Sequence, residues 1–183
     1  MSDEKLENRL VDPTLLFSHL KLSAGMTVAD LGCGSSGQFV LAAAKMVGDN
    51  GLVYAVDVLK TVLQTITSKV RSFSLNNVKT VWSNLEILGA TKIAEQSLDV
   101  AFLISTLYQS ENKKIIVEEA VRLLKPAGLL LVVDWSKEKQ FFGLTADRKV
   151  DVNEIKKIGS ELKLELVDEF LASQYHFGLL FKK

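Results

Sequence analysis

The sequence predicts an α/β fold with a mainly parallel sheet covered by helices on both faces. Short apolar runs alternate along the chain with longer segments of helical apolar spacing, which is the pattern of strands joined by right-handed crossovers. A glycine-rich turn follows the first apolar run, as it does in many nucleotide-binding sheets. The chain ends on two apolar runs joined by a short connection. Because so short a connection cannot make a parallel crossover, we expect one antiparallel strand at the end.

The N-terminal elements are predicted to be a helix, a strand and a second helix. In "DPTLLFSHLKL", about residues 12–22, Asp12 suits the N-cap and Pro13 suits the first helical position. The run "MTVADL" predicts a buried parallel strand that enters the glycine turn. The segment "QFVLAAAKMVG" consists largely of strong helix formers and predicts a helix that ends at Gly48.

The same alternation continues through the rest of the chain. Strands are predicted at "GLVYAVDV", "VKTVWSN", "SLDVAFLIST" and "GLLLVVDW". Helices are predicted at "LKTVLQTITSKVRSF", at "NKKIIVEEAVRLL", which Pro126 is expected to close, and at "VNEIKKIGSEL". The final runs, "KLELVDEFLAS" and "YHFGLLFKK", predict the closing hairpin.

Composition limits the classes of partner. The 183 residues suffice for a single domain, and 22 basic residues balance 22 acidic ones. A neutral chain has no broad footprint for nucleic acid or anionic lipid. The single cysteine, Cys33, excludes an internal disulfide and a cysteine-built zinc site, and it fits a reducing compartment. With no secretory signal and no membrane-length apolar run, we expect a cytoplasmic monomer or homodimer without a metal.

The turn "VADLGCGSSGQFV" fits two kinds of adenosine cofactor. Gly32, Gly34 and Gly37 spell the G-x-G-x-x-G of dinucleotide-binding folds, where glycine permits unusual backbone angles and close ligand approach. Asp57 ends the second predicted strand, where a carboxylate can accept hydrogen bonds from both ribose hydroxyls. These features suit NAD equally well, so the turn alone leaves the cofactor open.

Three further observations favour a cationic cofactor over a pyrophosphate. Asp30 lies two residues before the first glycine, where its carboxylate would attract a cation and repel a pyrophosphate. No basic residue occurs from Val28 to Ala44 to assist a pyrophosphate at the helix N-terminus. The closing antiparallel hairpin does not belong to the dinucleotide-binding fold.

The motifs "VADLGCGSSG", "VYAVDV", "SLDVAFLIST" and "LLKPAGLLLVVDW", in this order, resemble a class I S-adenosylmethionine-dependent methyltransferase. The resemblance runs from about Asp12 to the end and is strongest to the ubiquinone/menaquinone-biosynthesis-like (methyltransferase type 11) branch. It implies a Rossmann-like seven-stranded sheet of order 3-2-1-4-5-7-6 with strand 7 antiparallel. It also implies S-adenosyl-L-methionine as cofactor and S-adenosyl-L-homocysteine as product.

The resemblance assigns cofactor-binding residues by position. Asp30, Gly32, Cys33 and Gly34 would form the loop around the methionine part. Ser36 stands where the family usually has its third glycine, and the cofactor-binding Gly37 comes one place late. Asp57 would hold the ribose and Val58 would pack on the adenine. Asn84, where the family often has aspartate, and Leu85 would read the adenine edge. Ile104 and Ser105 would lie near the sulfonium.

Candidate catalytic residues follow from the predicted edge of the sheet. Asp134 ends the fifth strand and His176 begins the seventh, and these strands are neighbours in the implied order. The carboxylate could then orient the imidazole as a general base. The alternatives are a solvent-exposed His176 and an Asp134 that caps a turn. Tyr108, just past the fourth strand, could contact the acceptor or serve only in packing.

The leading hypothesis is methyl transfer to a small-molecule acceptor. The N-terminal helix and the loop of about residues 136–150, with Phe141 and Phe142 as an aromatic lid, would cover the acceptor. One alternative is an RNA or protein methyltransferase, but the Asn-Pro-Pro-Tyr signature of amino-group methylation is absent and "ISTLY" stands in its place. Another is a non-catalytic cofactor-binding or NAD-binding module.

Overall fold

The computed structural model of the protein describes residues 11–137 and 149–183. Its helices are α1 (Pro13–Ser18), α2 (Gln38–Val47), α3 (Lys60–Ser72), α4 (Lys113–Leu123) and α5 (Val152–Glu161), with a 3-10 helix at Leu107–Gln109. Its strands are β1 (Thr27–Leu31), β2 (Leu52–Asp57), β3 (Val78–Trp82), β4 (Leu98–Ile104), β5 (Leu124–Trp135), β6 (Glu165–Leu171) and β7 (His176–Lys182). None of these helices is both long and apolar enough to cross a bilayer.

The seven strands form one sheet in the order β3-β2-β1-β4-β5-β7-β6. The first five pair in parallel, and β7 pairs antiparallel with both β5 and β6. This confirms the predicted fold class and strand order. The carboxyl ends of β1 to β5 therefore meet at one edge of the sheet, here called the carboxyl edge, and the antiparallel β7 begins there.

Helices cover the two faces of the sheet unequally. Val28, Val53, Phe102 and Val133 mark one face, which packs against α1, α2 and α3 and is called the α2 face. The other face, called the α4 face, packs against α4, α5 and the segment that follows β3; Ala29, Val56, Leu103 and Val132 lie on it. Because successive side chains of a strand alternate between faces, these two sets fix the side on which every polar strand residue lies.

The N-terminal helix begins as predicted and ends sooner. Asp12 caps it, since its carboxylate accepts a hydrogen bond from the Thr14 N–H at 2.8 Å. Regular helix stops at Ser18 rather than near residue 22, and Lys21 adopts a left-handed conformation with φ of 48°. Leu20 is nevertheless buried beside Phe17 in the core of the α2 face.

The fifth strand begins earlier than the run "GLLLVVDW" predicts. Leu124 is already extended, with ψ of 137°, so α4 ends at Leu123 and Pro126 does not close it. The pairing with β4 shifts register between Leu98 and Val100. Such an irregular stretch accommodates Pro126, which has no N–H to donate to a regular ladder.

Candidate functional site

A cleft of about 380 Å³ opens at the carboxyl edge beside the ends of β1, β2, β3 and β4. Six predicted cofactor residues line it: Gly32, Gly34, Asp57, Val58, Asn84 and Leu85. The other five lie outside its wall: Asp30, Cys33, Gly37, Ile104 and Ser105. Further polar residues that no sequence motif indicated also line it, namely Ser83, Glu86, Thr106, Gln109 and Ser110.

The glycine turn is held in place from two sides. Gly32 has φ of 88°, and a Cβ at this position would lie 2.7 Å from the Thr106 side chain, so both backbone angle and space require glycine. The N–H groups of Gly32 and Cys33 donate to the Val56 carbonyl at 2.8 and 3.0 Å. The Lys69 ammonium, from α3, donates to the carbonyls of Ser35 and Ser36 at 2.8 Å each.

Lys69 accounts for the departure at Ser36. The family pattern places a third glycine there. The turn is compact without it because the Lys69 ammonium donates hydrogen bonds to two successive carbonyl oxygens. Lys69 stands 33 residues beyond Ser36, and only the packing of α3 on the α2 face brings the two together. No motif of the turn could have indicated it.

Asp57 connects the turn to the next helix and keeps acceptor capacity. Its Oδ2 accepts from the Gly34 N–H at 3.2 Å, and its Oδ1 accepts from the Leu59 N–H at 2.9 Å. A carboxylate offers about four lone-pair sites, so each oxygen can accept one further hydrogen bond. Asp57 lines the cleft, and two adjacent hydroxyl groups of a ligand would satisfy both oxygens.

Asp30 is a buried carboxyl group with an unsatisfied atom. It is 1% exposed and lies on the α2 face opposite Ala55 and Phe102. Its Oδ2 has no hydrogen-bond partner among the described residues. Burial, and to a lesser degree the charge of Asp57, raises the pKa of Asp30 to about 7. A cationic group placed nearby would stabilise the ionised form.

Cys33 is an inert packing residue in this turn. The side chain is buried in the core of the α2 face. Burial, followed by the charges of Asp30 and Asp57, raises the pKa of its thiol far above the usual range. A thiol that stays protonated is neither a nucleophile nor a metal ligand.

The loop after β3 is shaped by its own polar groups and by α4. Asn84 Oδ1 accepts from the Glu86 N–H at 2.9 Å, and the Glu86 carboxylate accepts from the Ser110 hydroxyl across the cleft. Further along, the fully buried Glu119 accepts from the N–H groups of Gly89 and Thr91 at 2.8 and 3.0 Å. These contacts fix the loop that carries Asn84 at the cleft wall.

Glu119 is held in turn by Arg122. Two guanidinium nitrogens of Arg122 donate to the two Glu119 oxygens at 2.8 Å each, and one of them also donates to the Thr91 carbonyl at 3.2 Å. Burial on its own raises the pKa of Glu119, but the hydrogen bonds outweigh it and hold that pKa at about 2. The carboxylate is thus ionised at neutral pH.

The chain beyond β4 is positioned by Asp134. Its Oδ2 accepts from the N–H groups of Leu107 and Tyr108 at 2.8 and 3.3 Å, and its Oδ1 accepts from its neighbour Trp135 at 2.8 Å. Burial raises the pKa of Asp134 to about 7, although these backbone N–H groups oppose the shift. Asp134 therefore caps the 3-10 helix that follows Thr106 at the cleft wall.

The predicted Asp134–His176 pair is wrong. Asp134 pairs with Phe177 and therefore lies on the α4 face, whereas His176 pairs with Trp135 on the α2 face. A sheet separates the two side chains, because a shift of one residue in register exchanges the faces. Both oxygens of Asp134 bind backbone N–H groups, so the carboxylate cannot orient the imidazole.

His176 is buried rather than solvent-exposed, with 1% of its surface accessible. Its ring contacts the indole of Trp135, with the ring centroids 4.1 Å apart, and its Nδ1 lies 2.7 Å from the Ser173 hydroxyl. Burial lowers the pKa of His176 to about 4, so the ring is neutral at pH 7. Its Nε2 has no partner among the described residues.

Tyr108 and the N-terminal helix, both predicted at the acceptor side, lie on opposite faces of the sheet. Tyr108 is half-buried and packs against the core of the α4 face. His19, at the end of α1, stacks on Phe170 and lies 2.8 Å from the Asp168 carboxylate, so α1 reaches across the α2 face to β6. Phe141 and Phe142, the predicted lid, lie outside the described residues.

The strand order and the acidic, glycine-rich turn define the class I methyltransferase fold, and comparisons with known proteins agree. A model of the methyltransferase domain family matches residues 22–171, and the chain belongs to this family of S-adenosylmethionine-dependent enzymes. A solved S-adenosylmethionine-dependent methyltransferase from Aquifex aeolicus is 25% identical, with a TM-score of 0.86 over 100% of this chain and 99% of that one. A methyltransferase structure from Pyrococcus furiosus is 22% identical, with a TM-score of 0.72 over 93% of this chain and 80% of that one.

Curated relatives match a shorter part of the chain. The ubiquinone/menaquinone biosynthesis C-methyltransferase UbiE of Enterobacter sp. is 32% identical over 114 residues, which make up 62% of this chain and 44% of that protein. The chain thus spans less than half the length of this relative. The likeness agrees with the family match over residues 22–171 and leaves the acceptor open.

The turn and Asp57 have groups that fit the methionine part and the ribose of S-adenosylmethionine. Asp30 Oδ2 is a buried acceptor without a partner, and Gln38 Nε2, at the start of α2, is a buried donor without a partner among the described residues. One acceptor and one donor on the same strand–turn–helix segment match the cationic and carboxylate groups of the methionine part. The free acceptor sites of Asp57 match two ribose hydroxyls.

Proposed function

We propose that the protein transfers the methyl group of S-adenosylmethionine to a small-molecule acceptor. The observation that carries the proposal is the pairing of a buried, incompletely satisfied Asp30 with a cleft into which Asp57 presents unused acceptor sites. In this assignment Asp57 holds the ribose, Asp30 faces the cationic end, and Asn84 and Leu85 hold the adenine.

When bound, the cofactor supplies an activated methyl group on a positively charged sulfur with a good leaving group. The protein's own contribution is then mainly positional. The Asp57 carboxylate orients the ribose, and the Asp134 carboxylate fixes the segment from Thr106 to Ser110 against the turn. The buried Asp30 supplies negative charge in a low-dielectric setting, where it acts more strongly than it would in water.

The same contacts disfavour a dinucleotide. A pyrophosphate at the N-terminus of α2 would meet the Asp30 carboxyl group with no basic residue in the turn to offset it. Lys69, the cation that reaches the turn, donates to the carbonyl groups of Ser35 and Ser36. A retained NAD-binding module is therefore the weaker alternative.

Calorimetric titration with S-adenosylmethionine, S-adenosylhomocysteine and NADH tests the cofactor directly. We expect the first two to bind and NADH to give no heat of binding at the same concentrations. Tighter binding of NADH than of S-adenosylhomocysteine would contradict the proposal.

A small acceptor is supported by the lack of net charge, with 22 basic and 22 acidic residues. Transfer of a radiolabelled methyl group to a small-molecule extract, to total RNA and to total protein separates the acceptor classes. We expect label in the small-molecule fraction. Label that enters RNA or protein and resists removal of small molecules would contradict this part of the proposal.

We also propose that the protein is a monomer or homodimer in the cytoplasm. The free, buried Cys33 is in keeping with that reducing compartment.

A further inference from the structure

His176 carries a buried nitrogen that the protein leaves without a partner. The residue begins β7 at the carboxyl edge, on the same α2 face as Asp30, and the ring of Trp135 packs against it. It is 1% exposed, yet Nε2 has no hydrogen-bond partner among the described residues. Buried polar groups in folded proteins nearly always have one, and a molecule bound at the carboxyl edge would supply the missing partner.

The hydrogen bonds of Ser173 determine which nitrogen of His176 carries the proton. Ser173 Oγ accepts from the N–H groups of Tyr175 and His176 at 3.1 and 3.2 Å. These two bonds occupy both lone pairs of the hydroxyl oxygen. Its own proton therefore points to His176 Nδ1, 2.7 Å away. Nδ1 is the acceptor, and in the neutral ring the proton lies on Nε2.

The unpartnered atom of His176 is consequently a hydrogen-bond donor. This reverses the role of general base that the sequence suggested, since Nε2 has no free lone pair while Nδ1 accepts from Ser173. Burial, which lowers the pKa of His176 to about 4, keeps the ring neutral at the pH where the enzyme would work.

The strand order places this donor at a suitable distance from the cofactor turn. β1, β4, β5 and β7 are successive neighbours, so the ends of β1 and β7 are three strand spacings apart, roughly 14 Å. The glycine turn that follows β1 stands at one end of this span and His176 at the other, whereas Asp30 lies deeper in the sheet, level with Leu131 and Leu180. A small molecule that lies beyond the ends of β4 and β5, between the turn and His176, would have its reacting atom near the cofactor and a polar group near Nε2.

We propose that the His176 Nε2–H donates a hydrogen bond to an oxygen of the acceptor, and that the enzyme takes acceptors with a phenolate, enolate or carbonyl oxygen. This inference rests on the proposed methyl transfer. A bond forms between the methyl carbon and the nucleophilic atom of the acceptor, the carbon–sulfur bond breaks, and sulfur keeps the electron pair. The donor favours the ionised, electron-rich form of a phenol or enol, and thus the form that attacks the methyl carbon.

The tautomer is tested first, by nitrogen-15 NMR of protein with labelled histidine. The chain has two histidines, His19 and His176, so the spectrum of His176→Gln assigns both. We expect His176 to show a protonated Nε2 and an unprotonated Nδ1. A protonated Nδ1 with an unprotonated Nε2 would overturn the proposal, whatever the activity.

The substrate class is tested by binding of 4-nitrophenol, acetylacetone and benzoate, with 4-nitroaniline as an amine control, in the presence of saturating S-adenosylhomocysteine. At least one oxygen probe should bind the wild type about tenfold more tightly than it binds His176→Phe. His176→Gln, whose amide N–H can replace Nε2–H, should recover most of the difference. The proposal is overturned if no oxygen probe distinguishes the wild type from His176→Phe, or if only 4-nitroaniline does.

Titration of S-adenosylhomocysteine with each variant separates this proposal from the proposed function. We expect His176→Phe and His176→Gln to bind S-adenosylhomocysteine as the wild type does, which also shows that they are folded. If the wild type does not bind it, the proposed function fails. If all three bind it and the probe affinities are equal, only the role of His176 fails.

Discussion

The two halves of the carboxyl edge differ in how their polar groups are satisfied. Beside β1, β2 and β3 the polar groups bind backbone N–H groups of their own turns and keep unused acceptor sites toward an open cleft, as Asp57 does. At β5 and β7 the polar groups are fully buried. There Asp134 is saturated by backbone N–H groups, and His176 keeps one unused donor.

The two halves also differ in the charge that they offer. The half beside β1, β2 and β3, proposed to bind the cofactor and here called the cofactor half, has the carboxyl groups of Asp30, Asp57 and Glu86. The half beside β5 and β7, proposed to bind the acceptor and here called the acceptor half, has the neutral N–H of His176, because the Asp134 carboxylate is occupied by backbone N–H groups. Such a division suits a reaction between a cation and an electron-rich partner, because each reactant meets groups of opposite character. It also means that substitutions in one half should affect the binding of one reactant only.

The largest effect is expected from Glu119→Gln, which breaks the support behind the cofactor half. An amide cannot accept from Arg122, Gly89 and Thr91 together, and removal of one partner of a buried ion pair costs about 3 kcal/mol or more. Urea titration should show this loss in the free energy of unfolding. Glu161→Gln, in an exposed pair with Lys114, is the matched control and should leave the value nearly unchanged.

The role of Glu119 also predicts how the free energy of unfolding changes with pH. The pKa of Glu119 is about 2 in the folded protein, whereas an unperturbed glutamate, as in the unfolded chain, has a pKa of 4.5. Its stabilising contribution is therefore complete above about pH 4.5 and is lost as the pH falls toward 2. The difference in unfolding free energy between the wild type and Glu119→Gln should therefore shrink as the pH falls across this range. The same difference in unfolding free energy at pH 3 and at pH 7 would contradict the lowered pKa of Glu119.

The next effect is that of Asp57→Ala on cofactor affinity. Loss of two charge-assisted hydrogen bonds should weaken the binding of S-adenosylhomocysteine by about 2 kcal/mol or more. Isothermal titration measures this, with the exposed Asp49→Asn at the opposite edge of the sheet as control. Unchanged affinity in Asp57→Ala would show that the ribose is bound elsewhere.

A smaller effect is expected from the ionisation of Asp30. Its pKa is raised to about 7 in the folded protein, so the carboxyl group becomes charged as the pH rises through that value. The cationic S-adenosylmethionine should then gain affinity relative to the uncharged sulfur of S-adenosylhomocysteine, by up to about tenfold, or 1.4 kcal/mol.

Two variants sharpen the Asp30 prediction. Asp30→Asn should remove the pH dependence of the affinity ratio. Asp134→Asn should keep it, because Asp134 has a similarly raised pKa but lies on the α4 face. A ratio that is constant between pH 6 and pH 8 in the wild type would argue against contact between Asp30 and the cation.

The smallest effect is that of Lys69→Met, which removes the cation that holds the carbonyls of Ser35 and Ser36. The turn is also held by the hydrogen bonds of Gly32 and Cys33 to Val56, so we expect a loss of about 1 kcal/mol in unfolding free energy. Binding of S-adenosylhomocysteine should weaken less than it does in Asp57→Ala. A larger loss of affinity than in Asp57→Ala would place Lys69 in contact with the ligand.

The cofactor half could be predicted from sequence because its geometry is local. A strand, a glycine turn and a helix follow one another without interruption, and Asp57 closes the next strand, so parallel pairing alone brings them together. The parts that were missed depend on distant contacts. Lys69 reaches the turn from α3, and Glu119 reaches the loop at Thr91 from 28 residues away.

The acceptor half was predicted less well because it depends on register. The hairpin and its antiparallel direction follow from the short connection, but the face that His176 occupies depends on which residue of β5 it pairs with. Apolar residues occupy both faces of these buried strands, so no alternation in the sequence reveals the register. The pairing of Trp135 with His176 separates the two residues that the sequence had joined.

The central claim is that a sulfonium-bearing nucleoside binds in the cleft at the carboxyl edge, with its ribose on Asp57 and its positively charged sulfur toward Asp30. A crystal structure of the protein with S-adenosylhomocysteine tests it most directly. We expect both ribose hydroxyls at about 3 Å from the Asp57 oxygens and the sulfur-bearing chain alongside the turn toward Asp30. Density for the nucleoside at another surface, or a cleft left empty under conditions where titration shows saturation, would contradict the account.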